Sequence, residues 1–566
     1  MTGSILTSEA SGLGPKWREY WANVWRHKVN WPDERMSCFM TAEQGRSDTN
    51  KFKEPLVSDY PRGVNPFLGA ITNSGDATAS PESGVLEYND AGHLLTIAPT
   101  RAGKGTSQIV PNLLMYAGSC LVIDMKGENY ALTADHRKML YPDARVIKFA
   151  PFEDDSDRFN PLDFIRVDEN GRPTSYTFDD TRLLAEMLIA NYNGAGDKFW
   201  DTEARGLLTM IIFYVATSLK PGDPSRTMST VVETLFPKLI QNGVSPINQT
   251  IDLIRKEAAA TSNDILDALI TQFVEHDDKV RAGILSTARS SMSIWLSDRL
   301  QTVTSRSDFR FSDLKRSMCR PFDQNPAPTT LYIIIPPEFL REYRSVLRMI
   351  VGLASVELTR PNEWATPEHE ALGWWPKPQC PVLFILDEFP ALGHMGPIEQ
   401  GVAYLAGYGV QLWTFAQSVG QLREIYKENW TTFPSNAGAA CYYGMADPEL
   451  CEYLSQQLGK TDEYSVEYET RASSSGTSTG SSRGNSDQLG GSSSNSSGSN
   501  SGYNDSTSVT EQVRFKQDPV ALASELRAIP EGTQIVLLRN RRPVISRLVP
   551  FYECPLFKGL YGVWRG

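Results

Sequence analysis

Short apolar runs that end at glycine or polar residues dominate the chain from about residue 84. Three of them, at residues 93–98, 119–123 and 145–149, predict buried strands. Apolar residues recur at helical intervals after residue 103 and between the second and third runs. Strands that alternate with helices in this way predict an α/β fold with a mostly parallel sheet, covered by helices on both faces.

The strand pattern stops between residues 176 and 300 and then returns. Within that block apolar residues recur every third or fourth position, which predicts an inserted all-α domain. Further strands are predicted at 330–335, 382–386, 410–415, 439–443 and 534–539. A sheet interrupted by a helical block fits one α/β domain that carries an insertion.

Two other segments have patterns of their own. Trp17, Trp21 and Trp25 recur at every fourth position with basic residues around them. This predicts a helix docked on its own domain or on a partner; the alternative is a helix that lies in a membrane interface. Residues 472–508 are dominated by serine, glycine and asparagine, so they are expected to form a flexible loop.

Composition narrows the class of protein. The net charge of -12 argues against a broad surface that coats DNA, although a positive pore would still bind DNA locally. The seven cysteines are scattered and form no Cys-x-x-Cys pair, which argues against a zinc site or a disulfide framework and favours a reducing, cytoplasmic compartment. No run approaches the roughly 20 apolar residues that a membrane-spanning helix needs.

A phosphate-binding loop is predicted where the strand at 93–98 meets the helix that follows. Main-chain N–H groups of such a turn cradle phosphates, and Lys104 would reach the β- and γ-phosphates of a nucleotide. The binding residues are predicted to be Thr100, Arg101, Ala102, Gly103, Lys104, Gly105, Thr106 and Ser107. The alternative is a glycine turn that merely caps a helix.

This loop departs twice from the strict Gly-x-x-x-x-Gly-Lys-Ser/Thr pattern. Ala98 replaces the first glycine, and Gly105 stands where a hydroxyl that binds Mg²⁺ is expected. Thr106, one residue later, is the candidate to supply that hydroxyl.

Acidic and polar residues follow two later strands. The run at 382–386 ends in Asp387 and Glu388, which predicts one carboxylate for Mg²⁺ and a second that polarises the attacking water. The run at 410–415 is followed by Gln417, a candidate sensor of the γ-phosphate; the alternative is a strand-end residue that bonds only to backbone.

Several motifs in order resemble the type IV secretion coupling proteins, the TraG/VirD family of conjugation and effector-export ATPases. The phosphate loop APTRAGKGTS also resembles that family in having glycine after the lysine. The remaining motifs are LVIDMKGENYALTADHR at 121–137, FNPLDFI at 159–165, FWDTEARGLL at 199–208, LFILDEFPALG at 383–393, GYGVQLWTFAQSVGQLREIY at 407–426 and LRAIPEGTQIVLLRNRRPVISRLVPFYE at 526–553.

The resemblance implies a RecA-like P-loop NTPase domain with an inserted all-α domain, which binds ATP and Mg²⁺. It assigns the nucleotide roles to Lys104, Asp387, Glu388 and Gln417. It implies a homohexameric ring with a central channel, which recruits single-stranded or duplex DNA and relaxase or effector proteins to a type IV secretion channel. A peripheral association with the inner membrane is a further expectation.

Two departures from the family pattern bear on mechanism. Most members begin with a transmembrane hairpin, and none is visible in this sequence. Members often carry an arginine just before the Gly-Tyr-Gly segment that acts on a neighbour's ATP, and Ala406 stands here. Arg101 or Arg289 would then have to act in its place, or hydrolysis would be slow.

Two functions therefore stay open: an ATP-driven coupling protein that translocates its cargo, and a nucleotide-binding receptor platform with little hydrolysis. The expected organisation has six segments. They are a tryptophan-rich helical segment at 1–60, the nucleotide-binding domain at 61–175 and 301–471 with its C-terminal completion at 509–566, the all-α insertion at 176–300, and the flexible loop at 472–508.

Overall fold

The computed structural model describes most of the predicted nucleotide-binding and helical regions. The described residues are 47–48, 57–58, 66–71, 84–189, 198–237, 246–316, 328–360, 380–470 and 509–564. The predicted tryptophan helix and the serine-rich segment 472–508 lie outside them.

A twelve-stranded sheet lies at the centre of the described part of the chain, and a separate pair, β11 and β12, forms an antiparallel ribbon. The strands in chain order are β1 Val57–Ser58, β2 Phe67–Ile71, β3 Gly84–Glu87, β4 His93–Ile97, β5 Cys120–Asp124, β6 Arg145–Phe149, β7 Thr329–Ile334, β8 Val382–Leu386, β9 Val410–Ala416, β10 Ala437–Tyr443, β11 Lys460–Thr470, β12 Val509–Pro519, β13 Thr533–Leu538 and β14 Val544–Arg547.

The order across the large sheet is β1-β3-β2-β14-β13-β10-β4-β9-β8-β5-β7-β6. The strands from β10 to β6 run parallel, as the sequence pattern predicted. The strands from β1 to β13 in this order extend the core as antiparallel neighbours. Of these strands the sequence pattern predicted only the one at 534–539, which is β13, and it did not predict its antiparallel direction. Asn540 has a φ of 58° in the turn between β13 and β14, a left-handed conformation that asparagine tolerates better than most residues.

Helices lie against both faces of the parallel strands. In chain order they are α1 Val110–Met115, α2 Glu128–Met139, α3 Thr177–Leu188, α4 Lys198–Ser218, α5 Met228–Leu235, α6 Pro246–Thr261, α7 Asp264–Val274, α8 Asp278–Met292, α9 Asp298–Val303, α10 Arg344–Thr359, α11 Gly396–Gly401, α12 Val419–Tyr426, α13 Thr432–Asn436, α14 Pro448–Leu458 and α15 Ala523–Arg527. Within the described ranges, no helix is both long enough and apolar enough to cross a bilayer.

Helices α3 to α9 follow one another between β6 and β7, as expected of an all-α insertion. Helix α4 packs against α3, α7 and α8. Gly283 on α8 allows a close approach to α4, because a Cβ there would lie 2.4 Å from the ring of Trp200. The boundaries of the domains predicted from the sequence, including 176–300, stay a prediction.

The two faces of β4 show how the sheet positions the loop that follows it. Leu95 and Ile97 belong to the core shared with the helical insertion, α10 and α12. Leu94 and Ala98 belong to the core on the other face, where the segment leading into α1 packs. Because β4 ends at Ile97, the phosphate loop that follows lies at the carboxyl edge of the sheet. Open α/β sheets bind their ligands at this edge.

Candidate nucleotide site at the carboxyl edge of the sheet

The turn between β4 and α1 has the backbone form of a phosphate-binding loop. Arg101 and Gly103 adopt positive φ angles of 65° and 97°. A π-helical turn over Gly105–Ile109 then leads directly into α1, with the Ser107 N–H donating to the Gly103 carbonyl at 2.9 Å. A helix start leaves main-chain N–H groups without partners inside the helix, so this turn can bind an anion.

Lys104 lies folded back into this loop. Its side chain is only 8% exposed, and its Nζ donates to the carbonyls of Ala98 at 2.8 Å and Pro99 at 3.3 Å. The same Nζ lies 3.7 Å from Oε1 of Glu388. The fold thus brings the acidic pair that follows β8 alongside the loop, although the two are far apart in sequence.

Glu388 has a constrained backbone immediately after Asp387. Its φ is 49°, in the left-handed region, and its N–H donates to Asp387 Oδ1 at 3.0 Å. Non-glycine residues in this region cost free energy and often occur at functional sites. The turn directs the two carboxylates to different neighbours, because Glu388 reaches Lys104 while Asp387 bonds to its own turn.

The ionisation of Asp387 depends strongly on its surroundings. Loss of hydration, followed by the nearby charge of Glu388, raises the pKa of Asp387 to about 7, while the positive charge of Lys104 opposes the shift. Because the charged form is disfavoured, a cation at this carboxylate would restore it.

Gln417 lies beside Lys104 and the acidic pair. It follows β9, which lies between β4 and β8 and therefore ends beside both the loop and the acids. Its Nε2 donates to Glu388 Oε2 at 2.8 Å, and its N–H donates to Gln421 Oε1 at 3.1 Å. The side chain thus bonds to the carboxylate that the sequence assigned to water activation.

The residues present fit a magnesium ion with few protein ligands. No three His, Cys, Asp or Glu side chains cluster as a metal site in the described part of the chain. Mg²⁺ commonly takes one or two carboxylates and completes its shell with water and substrate phosphates. Asp387 offers such a carboxylate, and Thr106 offers a hydroxyl that in this structure donates to the Gly103 carbonyl at 3.3 Å.

A family model described as type IV secretory system conjugative DNA transfer matches residues 69–493, more than half of the chain. The chain belongs to this family. The conjugal transfer protein TraG of Escherichia coli is 27% identical over 386 residues, which cover 66% of this chain and 56% of TraG. VirD4 of Agrobacterium fabrum is 25% identical over 524 residues, which cover 90% of this chain and 66% of VirD4. The chain therefore spans less than two thirds of the length of these relatives.

Solved structures of the bacterial conjugative coupling protein TrwB share the fold. An unbound form matches with a TM-score of 0.53 at 15% identity, over 82% of this chain and 86% of that one. A complex of TrwB with the ATP analogue ADPNP matches with a TM-score of 0.52 at 14% identity, over 81% and 86% of the two chains. The predicted fold class, a RecA-like P-loop NTPase domain with a mostly parallel sheet and an inserted all-α domain, is confirmed.

In this member of the family, a third acid that sequence reasoning missed lies next to the pair. Asp124 ends β5, and the pairing of Ile123 with Leu386 places it beside Asp387. Burial raises the pKa of Asp124 to about 6, although its Oδ2 accepts a hydrogen bond from the Tyr130 N–H at 2.8 Å. The signal was available, since Asp124 ends an apolar run as Asp387 does.

Gly444 is the second residue that was missed. It follows β10 with a φ of 64°, and a Cβ at this position would lie 2.8 Å from Pro99 Cδ and 3.0 Å from Ala102 Cβ. The phosphate loop therefore packs directly on this glycine. No local sequence signal reveals the contact, because it depends on β10 being the neighbour of β4.

A buried polar network underlies the loop. Gln108, in the π-helical turn, is fully buried, and its Oε1 accepts from Thr96 Oγ1 at 2.9 Å and from the Tyr443 hydroxyl at 3.1 Å. Its Nε2 donates to Gln534 Oε1 at 3.1 Å. These bonds fix the start of α1 against three strands, because Thr96, Tyr443 and Gln534 lie on β4, β10 and β13 respectively.

The arginines proposed from sequence differ in their surroundings. The Nε of Arg289 donates to the Leu235 carbonyl at 3.0 Å within the helical insertion, and its guanidinium lies over the ring of Phe236. Arg101 lies exposed at the tip of the phosphate loop. Ala406 lies in a 3₁₀ turn, Leu405–Tyr408, at the amino end of β9, so an arginine there would be remote from its own chain's loop.

Proposed function

We propose that this chain is a P-loop ATPase that serves as a coupling protein in conjugative transfer or type IV secretion. The observation that carries the proposal is the meeting of Lys104, Glu388 and Gln417, with Glu388 3.7 Å from Lys104 Nζ and 2.8 Å from Gln417 Nε2. Its relatives are named for conjugal transfer, and TrwB has been solved with ADPNP and with ADP and Mg²⁺. These findings support ATP as the substrate and Mg²⁺ as the cofactor here.

Binding of ATP would change the partners of Lys104. The ammonium group exchanges the carbonyls of Ala98 and Pro99 for the β- and γ-phosphates, while main-chain N–H groups of the phosphate loop surround the phosphate chain. This exchange also separates Lys104 from Glu388 in part. Glu388 is then free to accept a hydrogen bond from water.

Hydrolysis follows by in-line attack. The water oxygen forms a bond to the γ-phosphorus as the bond to the β,γ-bridging oxygen breaks, which yields ADP and inorganic phosphate. Glu388 orients the water and takes its proton before releasing it to solvent, and Gln417 holds Glu388 in place. Asp387 and Thr106 would hold Mg²⁺, which would supply positive charge that offsets the charge on the phosphates.

Membership of the family supports a proposal for the cargo and the assembly. We propose a homohexameric ring that passes DNA, or DNA-linked relaxase and effector proteins, to a type IV secretion channel at the inner membrane. The net charge of -12 supports DNA threading through a local positive channel in preference to wrapping the outer surface. In this proposal the nucleotide-binding domain comprises residues 61–175, 301–471 and 509–566, and the insertion at 176–300 reads the cargo.

A second function is supported by two particular residues. Gly105 offers no hydroxyl for Mg²⁺, and Ala406 offers no arginine for a neighbouring subunit. A chain with these features would serve as a receptor platform that binds nucleotide during assembly and hydrolyses little.

The rate of ATP hydrolysis, measured with and without single-stranded DNA, separates the two functions. We expect wild type to hydrolyse ATP faster with DNA, and Glu388→Gln to bind ATP but lose about 100-fold or more in rate, since the water loses its base. Glu452→Gln, at an exposed glutamate on α14 away from the site, is the matched control and should retain activity. Equal low rates in wild type and Glu388→Gln would reject the motor and favour the platform.

A further inference from the structure

A cleft of about 1170 Å³ opens from the hydrolysis residues towards solvent. Glu388 and Gln417, both partly buried, are among the residues that line it. Its walls are the segment after β7, the turn after β8, and α12 with the turn that follows. The phosphate loop at residues 98–107 does not line it. The cleft therefore reaches the attacking-water side of the site by a route separate from the loop.

Free positive charges line this cleft. Arg341 and Lys427 are exposed, and neither side chain makes an ion pair or hydrogen bond with any residue the structure describes. Arg344 has a different role, because its Nε donates to the Ala391 carbonyl at 3.0 Å and so holds the turn that forms one wall.

The carboxylates of the cleft are distributed unevenly. Glu399 already has partners, since one of its oxygens lies 2.8 Å from His394 Nε2 and the other accepts a hydrogen bond from Asn429 Nδ2 at 2.9 Å. Glu424 is exposed, as Arg341 and Lys427 are, whereas Glu388 is only 24% exposed and so lies deeper in the cleft. An anion beside Glu388 would therefore meet a like charge, and the opposite charges of Arg341 and Lys427 lie nearer to solvent.

We propose that this cleft is the exit route of inorganic phosphate, with Arg341 and Lys427 as its transient binding groups. The proposal rests on the ATPase function proposed above. After hydrolysis ADP still occupies the phosphate loop, so the phosphate dianion cannot leave on that side. Repulsion by the Glu388 carboxylate and attraction by the two cations both favour movement outward along the cleft.

Single-turnover kinetics test this route. Cleavage of ATP is measured by acid quench, and release of inorganic phosphate is measured with a fluorescent phosphate sensor. Both are measured for wild type, Arg341→Gln, Lys427→Gln and the double variant. We expect the ratio of release rate to cleavage rate to fall about twofold to fivefold in each single variant and further in the double, as befits exposed charges. Arg423→Gln is the control, since this exposed arginine on α12 pairs with Glu449 and does not line the cleft.

Two outcomes of the kinetics would overturn the route. Release that keeps pace with cleavage in the double variant would show that the cations do not guide phosphate. An equal fall in Arg423→Gln would show that the effect is a general one of surface charge.

A binding measurement keeps the test independent of hydrolysis. Inorganic phosphate is titrated into the full chain loaded with ADP. We expect Arg341→Gln to weaken phosphate binding about twofold to fivefold and Glu388→Gln to tighten it by a similar factor, because repulsion is removed. Phosphate affinity unchanged in both variants would reject the cleft, even if the chain hydrolyses ATP. If phosphate binding is weaker in Arg341→Gln and tighter in Glu388→Gln but the chain never hydrolyses ATP, the phosphate site is supported and the proposed ATPase activity is rejected.

Discussion

Replacement of Gly444 by alanine should damage nucleotide binding from outside the phosphate loop. Gly444 has a φ of 64°, and the added Cβ would lie 2.8 Å from Pro99 Cδ, 2.9 Å from Pro99 Cγ and 3.0 Å from Ala102 Cβ. Carbon atoms rarely approach so closely. A proline ring and a Cβ cannot rotate away as a flexible side chain can, so the loop itself must shift by several tenths of an ångström.

The cost of this substitution has two parts. A non-glycine residue in the left-handed region costs about 1–2 kcal/mol, and overpacking adds about 1–3 kcal/mol. If about 1–2 kcal/mol of the overpacking cost destabilises only the nucleotide-bound conformation, affinity for an ATP analogue drops roughly 5-fold to 30-fold.

Gly222→Ala provides a control for the cost of a positive φ. Gly222, in the turn after α4, has a φ of 84°, and a Cβ there would meet nothing within 4 Å. We expect urea denaturation to show a loss of stability in both variants, and titration with a fluorescent ATP analogue to show weaker binding only in Gly444→Ala. Wild-type affinity in a folded Gly444→Ala protein would refute the contact between this glycine and the phosphate loop.

The remaining predictions concern the loop and the acidic pair. Lys104→Ala should weaken ATP binding about 100-fold or more, because its buried ammonium is the group proposed to bind the β- and γ-phosphates. Calorimetry that gives wild-type affinity would reject the site. Gly105→Ser should change stability by less than about 1 kcal/mol, since a Cβ there meets nothing within 4 Å, and should tighten Mg²⁺-dependent ATP binding if a hydroxyl is missing; thermal unfolding and titration with and without Mg²⁺ check both parts. The pKa of Asp387, raised to about 7, predicts that folding stability of the nucleotide-free chain falls as pH rises from about 4 to 7, because the folded state holds the proton more tightly. Asp387→Asn should flatten that profile and stabilise the chain at pH 8 by about 1 kcal/mol or more; an unchanged profile in chemical denaturation would show that the carboxyl ionises normally.

Local pattern was sufficient for the parallel strands and the phosphate loop. The strand predicted at 93–98 is His93–Ile97 in the structure, and that predicted at 382–386 is Val382–Leu386. Both are apolar runs, and each is followed by residues that do not continue a buried strand: Pro99 after the first, and Asp387 and Glu388 after the second. The sequence around each strand is therefore enough to predict that it is buried and where it ends. The motif of the phosphate loop is equally local, because one turn must combine a lysine with glycines that allow positive φ, as at Gly103.

Strand order was not determined by local pattern. The sequence placed Lys104 and Glu388 after two separate strands. The distance of 3.7 Å between Lys104 Nζ and Glu388 Oε1 depends on β9 lying between β4 and β8 and on the left-handed turn at Glu388. Tertiary structure likewise determines the antiparallel pairing of β2, β3, β13 and β14, and the contact of Gly444 with the phosphate loop. Packing across the whole sheet decides which distant segments become neighbouring strands. The sequence of any one segment therefore does not reveal its neighbours.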